Sequence, residues 1–276
     1  MPASPASRAR QRAWAARRGH AAQGRLLDEL RHAAHRGQLQ LAYQPIHAMR
    51  GAAPSNFEAL LRWSHPLLGD VAPERFIALA EHSGLILELG DWVFHAAAAE
   101  CARLRAASGR AVRVGVNVSP LQLASRSTVQ LWLLHLQDIG LPPDALTVEI
   151  TERVMLHHPE AVARQLQLLA EAGVRIALDD FGTGYSNLAM LGQLPVHALK
   201  LDRSLTQGLV GSERHRTIAR SVIGMAHRLR MQVVAEGVEQ TAQAAITHEM
   251  GCDFAQGYWY GRPLSAAQAE QWLRAS

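Results

Sequence analysis

The chain is poor in cysteine and has no long apolar runs. Its 276 residues contain two cysteines, Cys101 and Cys252, whose separation matches no metal-binding or redox motif. They are predicted to be buried thiols of a reducing compartment, which indicates a cytoplasmic protein without disulfides. No apolar run approaches about 20 residues and no apolar signal core opens the chain, so we expect neither a membrane span nor a secretion signal.

Lysine is almost absent. Of the 28 Lys and Arg residues, only Lys200 is a lysine. Under such a bias, a position that tolerated either cation would have become arginine. Lys200 is therefore predicted to need a compact, rotatable ammonium that a planar guanidinium cannot imitate. Chance survival of a single lysine is the alternative interpretation.

Charge is unevenly distributed along the chain. The formal net charge is +4, yet residues 1–36 hold eight arginines against Asp28 and Glu29. The remainder is slightly acidic, so we expect no binding of a nucleic-acid polymer. Residues 1–22, rich in Ala and Arg, are predicted to be a disordered tail or a linker, and a surface anchor is a third interpretation. Residues 23–276 are predicted to form the folded domain.

Strand and helix patterns alternate along this domain. Apolar runs predict eight strands, near residues 39–46, 57–63, 112–118, 146–151, 174–178, 197–201, 232–235 and 254. The connection at residues 47–56 is too short for a parallel crossover, so the first two strands are predicted to form an antiparallel hairpin. Eight strands alternating with helices indicate an α/β fold closed into a TIM-like (β/α)8 barrel.

Two adjacent carboxylates, Asp179 and Asp180, follow one of these apolar runs and precede the loop Gly182-Thr183-Gly184. Neighbouring residues on an extended strand point to opposite faces, so the two aspartates cannot both lie in the core. An isolated Asp-Asp-x-Gly stretch is most often a polar turn, because Asp and Gly are ordinary turn residues. Only similar residues at other strand ends would favour a functional site.

Such polar residues recur on or just after the predicted strands. They are Glu58, Asn117, Glu149, Glu152, Asp179, Asp180, Lys200, Glu236, Glu239 and Gln256. Each alone could be a cap or a solvated loop end, but strand ends are where barrel enzymes place their chemistry. Carboxylates converging on one mouth require cations, and oxygen ligands without clustered Cys or His indicate Mg²⁺ or Mn²⁺. Two such ions about 3.5–4 Å apart are a common device for hydrolysing phosphodiesters.

At these residues the sequence resembles the EAL domain family of cyclic di-GMP phosphodiesterases. The resemblance runs from about Leu26 to Leu273 and centres on Glu58-Ala59-Leu60, followed by Leu61-Arg62-Trp63. It also includes Tyr43-Gln44-Pro45-Ile46, Asn117-Val118-Ser119, Glu149-Ile150-Thr151-Glu152, Asp179-Asp180-Phe181-Gly182-Thr183-Gly184, Leu199-Lys200-Leu201-Asp202, Ala235-Glu236-Gly237-Val238-Glu239 and Gln256-Gly257-Tyr258.

The resemblance implies a barrel whose first strand is antiparallel to the rest, and hydrolysis of cyclic di-GMP to linear pGpG by two-metal activation of water. The positions that correspond to metal ligands are Glu58, Asn117, Glu149 and Asp179 for one ion, Asp180 for the second, and Glu236 as a further acidic ligand. The catalytic positions are Lys200, which holds the nucleophilic water, together with Glu58, Glu236 and Glu152, which fixes the loop Asp180–Tyr185. The substrate contacts are Gln44, Leu60, Arg62 and Gln256. The resemblance also implies a homodimer.

Two other interpretations stay open. Some members of the family lose their ligands and act as cyclic di-GMP receptors, although a receptor has no reason to keep the full acidic set with Lys200. A different metal-dependent barrel enzyme acting on another phosphodiester is the third interpretation. The departures from the family pattern, such as Asn187 and Leu205-Thr206, touch no proposed ligand and concern dimer geometry and rate.

Overall fold

The computed structural model describes residues 23–50, 55–152, 159–182 and 191–275. Predictions for residues 1–22, for the tip of the first hairpin at 51–54, and for Thr183 to Tyr185 and Asn187 lie outside the described residues. The chain divides into two compact units, one with Met1–Gln40 and Leu61–Leu89 and a larger one with Leu41–Leu60 and Gly90–Ser276. In the described ranges, no helix is both long enough and apolar enough to cross a bilayer.

One sheet contains the strands of the fold. In the described part of the chain its strands are β1 (Leu39–Ala48), β2 (Ser55–His65), β3 (Gly69–Val71), β4 (Val112–Asn117), β5 (Leu146–Thr151), β6 (Arg175–Phe181), β7 (Ala198–Leu201), β8 (Gln232–Ala235) and β9 (Phe254–Gln256). The order is β1-β9-β8-β7-β6-β5-β4-β2-β3, and a further pairing of β1 with β2 closes eight of the strands into a barrel.

Strand direction follows the predicted fold class. β1 is antiparallel to β9, whereas β2 and β4 to β9 are parallel to their neighbours around the barrel. The predicted (β/α)8 barrel with a reversed first strand is therefore confirmed. Because parallel strands share one direction, their carboxyl ends meet at one mouth of the barrel.

Helices connect the strands. They are α1 (23–33), α2 (Pro73–Ser83), α3 (Ile86–Ser108), α4 (Pro120–Ala124), α5 (Arg126–Asp138), α6 (Pro159–Glu171), α7 (Arg203–Gly208), α8 (Glu213–Arg228), α9 (Thr241–Glu249) and α10 (Ala266–Ala275). Proline at the first position begins α2 and α6, because its missing N–H costs no helical hydrogen bond there. The Ser265 hydroxyl accepts a hydrogen bond from the Gln268 N–H and so caps α10.

Alternate residues of the barrel strands face either the surrounding helices or the inside of the barrel. Val112, Val114 and Val116 of β4 are fully or almost fully buried, as are the corresponding apolar residues of β5. The intervening residues, such as Gly115 and Glu149, line the inside of the barrel. Apolar side chains therefore form the core between strands and helices, and the barrel interior holds polar groups beside a small apolar cluster of Ile46, Val234 and Phe254. Cys101 and Cys252 are both free thiols and both buried, as predicted.

The strand carrying the aspartate pair is longer than predicted. The sequence predicts that it ends at Leu178, but β6 extends through Asp179 and Asp180 to Phe181. A register irregularity between Leu178 and Phe181 allows β6 to keep pairing with β7 past the two aspartates. The run of apolar residues stops at Leu178, so the pattern does not predict this extension.

The smaller unit contains α1, α2 and β3. Leu26, Leu30 and Ala33 bury one face of α1. β3 is antiparallel to the end of β2, with Trp63 opposite Val71, and it was not predicted. The Trp63 indole packs edge-on against Phe76 of α2, with ring centroids 5.6 Å apart.

Candidate active site

The carboxyl ends of the barrel strands bring most of the predicted site residues into register. Asn117 of β4 lies opposite Glu149 of β5, and Thr151 of β5 lies opposite Asp179 of β6. Glu58 of β2 lies opposite Gly115 of β4. Neighbouring strands thus present their polar residues at similar depth inside the barrel, and we call Glu58, Glu149, Asp179, Lys200 and Glu236 the acidic layer.

Lys200 lies at the centre of the acidic layer. It is among the largest fully buried side chains, at 1% exposure. Its Nζ atom is 2.6 Å from Glu149 Oε2 and 2.8 Å from Glu236 Oε1. Nζ also lies 3.3 Å from Glu58 Oε2 and 3.4 Å from Asp179 Oδ1. One ammonium group therefore contacts four carboxylates contributed by four different strands or strand ends.

The charges of the acidic layer do not cancel. Burial by itself would lower the pKa of Lys200, but Asp179, Glu149, Glu236 and Glu58 together raise it well above its usual value. Burial raises the pKa of Glu149 well above its usual value; Lys200 opposes this rise, and the charges of Glu58 and Asp179 add to it. Burial likewise raises the pKa of Glu236 to about 8. The layer thus holds more carboxylate charge than one ammonium can neutralise.

Glu58 is held from both sides by amides. Asn117 Nδ2 donates to Glu58 Oε1 over 2.7 Å, and Gln256 Nε2 donates to Glu58 Oε2 over 2.7 Å. Burial would raise the pKa of Glu58, but Lys200 and these two amides lower it. Gln256 Nε2 also lies 3.2 Å from Gln44 Oε1, so two predicted substrate contacts join the same network.

A glycine on β4 provides the space for Glu149. A Cβ atom at Gly115 would lie 2.0 Å from Glu149 Oε1, far inside contact distance. The Glu149 carboxylate therefore packs directly over the Gly115 backbone and reaches Lys200 from there. Sequence reasoning missed Gly115, because a glycine within a strand has no side chain that signals chemistry. Its position opposite Glu58 in the parallel ladder is the structural signal.

Asp179 and Asp180 separate as the alternation on β6 predicts. Asp179 is buried at 8% exposure, whereas Asp180 is exposed. Asp180 has a φ of 57°, a left-handed conformation that few non-glycine residues adopt. The Asp180 N–H donates to Asp179 Oδ1 over 2.9 Å. Although Asp180 is exposed, its carboxyl group is partly desolvated, and this raises its pKa. The negative charges of Asp179 and Asp202 add to that effect.

Glu152 lies at the end of β5 and contacts the turn after β6. Its Oε1 atom accepts a hydrogen bond from the Gly182 N–H over 3.1 Å. Gly182 has a φ of 106°, so the backbone turns directly after the aspartate pair. A carboxylate on one strand thereby fixes the backbone that follows the two aspartates on the next strand.

The remaining predicted substrate contacts lie in different parts of the chain. Leu60 is half-buried on β2 in the larger unit. Arg62 belongs to the smaller unit, and its Nη1 atom donates to the carbonyl oxygen of Leu61 over 3.0 Å. The Gln44 Nε2 atom donates to the carbonyl oxygen of Gly261 over 3.1 Å, which fixes the orientation of its amide.

The donor set of the acidic layer fits divalent cations. Glu58, Glu149 and Asp179 offer carboxylate oxygens within 4.8 Å of one another, and so do Asp179, Asp180 and Glu236. Asp179 belongs to both groups, which is the arrangement needed for two neighbouring ions with a shared ligand. These donors are all hard oxygens, which suit Mg²⁺ and Mn²⁺ and do not suit ions that prefer thiolate. The surplus carboxylate charge described above is what such cations would neutralise.

Comparison with known proteins agrees with the fold and the motifs. The EAL domain family model matches residues 27–263. The cyclic di-GMP phosphodiesterase NbdA of Pseudomonas aeruginosa is 42% identical over 248 residues, which are 90% of this chain and 32% of NbdA. The chain spans about a third of the length of the curated relatives that it matches most strongly.

Two solved structures give the same result. The MucR phosphodiesterase in complex with cyclic di-GMP, a protein of Pseudomonas aeruginosa, matches at 38% identity with a TM-score of 0.82, covering 89% of this chain and 99% of that chain. The EAL domain of Mycobacterium smegmatis DcpA matches at 36% identity with a TM-score of 0.73, covering 86% of this chain and 98% of that chain. The sequence resemblance is thus confirmed, and the chain belongs to the EAL domain family.

Proposed function

We propose that this chain is a metal-dependent phosphodiesterase that hydrolyses cyclic di-GMP to linear pGpG. The single observation that carries the proposal is the fully buried Lys200 ammonium within contact distance of four carboxylates. A module that only binds the nucleotide gains nothing from burying this much charge, because such burial is costly. The relatives named as cyclic di-GMP phosphodiesterases support the choice of substrate.

The cofactors in this proposal are two Mg²⁺ or Mn²⁺ ions. Their ligands come from Glu58, Asn117, Glu149, Asp179, Asp180 and Glu236, with Asp179 available to both ions. When bound, such ions supply a nucleophile at neutral pH and stabilise charge that develops on the phosphate. The Asn117 amide would have to release Glu58 Oε1 or turn its own oxygen inward to act as a ligand.

Lys200 orients the attacking water in this proposal. Its Nζ atom carries three N–H donors, and the surrounding carboxylates keep it protonated. It can therefore donate a hydrogen bond to the water, and an ammonium beside the phosphate also offsets negative charge in the transition state. The water oxygen forms a bond to phosphorus, the phosphorus bond to the 3′ oxygen breaks, and that oxygen leaves as a hydroxyl after taking a proton.

The substrate would contact Gln44, Leu60, Arg62 and Gln256. Gln256 Oε1 is a buried acceptor with no hydrogen-bond partner among the residues that the structure describes. A buried acceptor of this kind is costly unless something donates to it. Guanine carries N–H donors on its pairing edge, so a bound guanine base would satisfy this atom. Glu152 is proposed as a positioning residue, acting through the Gly182 N–H.

The proposal extends to the surroundings of the protein. We infer a cytoplasmic location, where the two buried free thiols stay reduced. The predicted homodimer is retained as part of the proposal, as the family resemblance implies.

The decisive experiment incubates the purified chain with cyclic di-GMP and Mg²⁺ and resolves the nucleotides by chromatography. Metal-dependent formation of pGpG, absent with EDTA, is the expected result. Tight binding of cyclic di-GMP without turnover in Mg²⁺ or Mn²⁺ would contradict hydrolysis and identify a receptor. Equal turnover of other cyclic dinucleotides would instead show that the substrate has been assigned wrongly.

A further inference from the structure

The barrel has a second polar layer at the amino-terminal ends of its strands. Asn56 of β2 lies opposite Arg113 of β4, and Thr147 of β5 lies opposite Arg175 of β6. These residues precede Glu58, Gly115, Glu149 and Ala177 by two positions, so they face the same interior, farther from the acidic layer's mouth. With Gln232, the first residue of β8, they form what we call the floor layer.

A cavity lies between the floor layer and the acidic layer. It has a volume of about 50 Å³ and is lined by all five floor-layer residues together with Glu149 and Lys200. Apolar side chains form the rest of its wall, namely Ile46, Phe57, Val234 and Phe254. The small residues Gly115, Ala177 and Ala198 also line it, and their size explains why the barrel is not filled here. A cavity needs about 10–15 Å³ to hold one water, so this one can hold several waters or one small ion.

The floor layer carries positive charge that the described residues do not neutralise. Arg175 Nη2 donates to Gln232 Oε1 over 2.7 Å, and in the described ranges that neutral amide is its only hydrogen-bond partner. Arg113 Nε donates to the carbonyl oxygen of Asp144 over 3.1 Å. Arg113 Nη2 is 3.5 Å from the Asp144 carboxylate, which is 58% exposed and therefore largely screened by water.

The pKa of Arg175 and the amide of Asn56 also bear on how the floor layer could hold an anion. Burial lowers the pKa of Arg175, the positive charge of Arg113 lowers it further, and the negative charge of Asp144 opposes both effects. Asn56 Oδ1 is buried and has no hydrogen-bond partner among the described residues. An Asn amide can present either its oxygen or its two N–H donors after a half turn, so Asn56 can adapt to a bound group. The layer therefore combines two guanidinium groups with adaptable neutral partners.

We propose that the floor layer binds one small inorganic oxyanion, of the size of phosphate or sulfate, held by Arg113 and Arg175. The planar fork of a guanidinium matches the paired oxygens of such an anion. A nucleotide is excluded by size, because pockets for molecules of that class typically have volumes of about 300 Å³ or more. The bound anion would neutralise the floor layer and stabilise the closed barrel, because a ligand that binds only the folded state opposes unfolding.

The first test is thermal unfolding of the full chain with potassium phosphate against potassium chloride at equal ionic strength. EDTA is present, so no divalent metal ion is available to bind phosphate at the acidic layer. We expect Tm to rise by a few degrees and to saturate with phosphate. In Arg175→Gln, the phosphate concentration that gives half of the full rise in Tm should be higher by about tenfold or more.

Arg105→Gln is the matched control. Arg105 is half-buried like Arg175 and also donates to a neutral oxygen, the backbone carbonyl of Val112, but it does not line the cavity. It should keep the full phosphate response. An equal loss of response in both variants, or no saturable response in the wild type, would overturn the proposal.

A second variant gives a signal of opposite sign and so cannot be confused with misfolding. Gln232→Glu places a carboxylate oxygen where Gln232 Oε1 now lies, 2.7 Å from Arg175 Nη2. It should raise Tm without phosphate and remove the phosphate response, because an internal anion then replaces the external one. A full phosphate response in Gln232→Glu would show that the anion does not bind at the floor layer.

Discussion

Lys200 shows how much of the proposed chemistry depends on the shape of one cation. Its ammonium contacts carboxylates at 2.6 to 3.4 Å in several directions, and the side chain has no access to solvent for adjustment. A guanidinium is planar and larger, so it cannot place single donors in these directions. We predict that Lys200→Arg lowers turnover by about 100-fold or more, the scale of removing one transition-state donor.

Formation of pGpG from cyclic di-GMP, measured by chromatography, checks this prediction. The control is Arg164→Lys, the reverse exchange at a position that is 63% exposed on α6, and it should leave turnover unchanged. Near-normal turnover by Lys200→Arg would refute both the assigned role and the inference from the scarcity of lysine.

Gly115 is predicted to tolerate no side chain. A Cβ atom there would lie 2.0 Å from Glu149 Oε1, so Gly115→Ala must displace that carboxylate from Lys200. We expect the free energy of unfolding to fall by about 1–3 kcal/mol through overpacking, together with loss of metal-dependent turnover. Chemical denaturation and the pGpG assay measure the two effects separately.

The same substitution at Gly224 of α8 is the control. The nearest atom to a Cβ there is Arg228 Nη2 at 3.6 Å, an ordinary contact. Gly224→Ala should be neutral or stabilising, because alanine favours a helix interior. A Gly115→Ala protein with the stability and turnover of Gly224→Ala would show that Glu149 can move without consequence.

At the level of residues, the sequence was sufficient to predict the charged side chains of the site, but not the positions that matter because they leave room for a neighbour. Lys200 and the carboxylates could be predicted because each is a charged residue on or just after an apolar run, where the cost of burying a charge makes a functional role the better explanation. Gly115 and the floor-layer arginines could not, because their importance depends on what lies opposite them across the barrel. That information is held in the register of the strands, which the chain's own pattern does not reveal.

β6 and the end of β5 act as one structural element around the aspartate pair. Glu152 accepts a hydrogen bond from the Gly182 N–H, and Asp180, two residues before Gly182, has a left-handed conformation. We predict that Glu152→Ala lowers kcat by about tenfold, which matches the loss of one hydrogen bond to a charged group, while KM changes little. Steady-state kinetics with cyclic di-GMP give both constants.

Glu171→Ala is suited as the control for this variant, because Glu171 is an exposed carboxylate at the end of α6 that accepts a hydrogen bond from Gln167 one turn earlier. It should match the wild type. A Glu152→Ala enzyme with an unchanged kcat and a raised KM would show that Glu152 contacts substrate instead of positioning the backbone.

The packing of α3 against α5 is predicted to make stability depend on pH. The rings of His95 and His135 meet edge-on with centroids 4.3 Å apart. Burial lowers the pKa of His95, His135 lowers it further, and Asp91 opposes both. The unfolded chain therefore binds a proton more readily, so stability should fall as pH drops below the usual value of 6.5.

Tm measured from pH 8 to about pH 5 checks this prediction. His95→Gln should flatten the dependence, whereas His248→Gln, at an exposed position on α9, should not. Equal slopes for all three proteins would exclude His95 as a source of the dependence.

Elements could be predicted where one periodicity continued and not where it broke. β5 and β8 have the predicted bounds, because apolar residues alternate with polar ones along the whole of β5 and three apolar residues follow Gln232 in β8. β6 runs three residues past its apolar stretch because a register irregularity keeps it paired with β7. β3 is too short for any periodicity and forms only because β2 offers it an edge.

For the whole molecule, the surplus of carboxylates predicts how divalent ions act. Mg²⁺ should raise Tm and support turnover, and EDTA should reverse both effects, because a cation that binds only the folded acidic layer stabilises it. Ca²⁺ should support turnover poorly, since it is larger and less demanding in its geometry than Mg²⁺.

Turnover and Tm are compared in Mg²⁺, Mn²⁺, Ca²⁺ and EDTA. Glu149→Gln removes one carboxylate from the layer and should lose most of the Mg²⁺ effect on both quantities. Hydrolysis in Ca²⁺ at the Mg²⁺ rate would contradict the prediction.

The topology of the whole barrel could be predicted from the order of its elements. Strands alternating with helices indicated closure, and the short connection near residues 47–56 indicated the reversed β1, which its antiparallel pairing with β9 now bears out. Nothing in the sequence indicated that the barrel is polar at both ends of its interior, because Arg113 and Arg175 resemble ordinary surface residues until the strands are aligned.

The single lysine also gives the protein a built-in spectroscopic reporter. Growth on isotope-labelled lysine would enrich one side chain only, at the centre of the acidic layer. Its buried ammonium, shielded from bulk water by four carboxylates, should exchange protons slowly and yield one nitrogen resonance without any assignment experiment. During a titration with metal or nucleotide, the resonance of this one nitrogen would report on the proposed reacting centre of a 30.2 kDa protein.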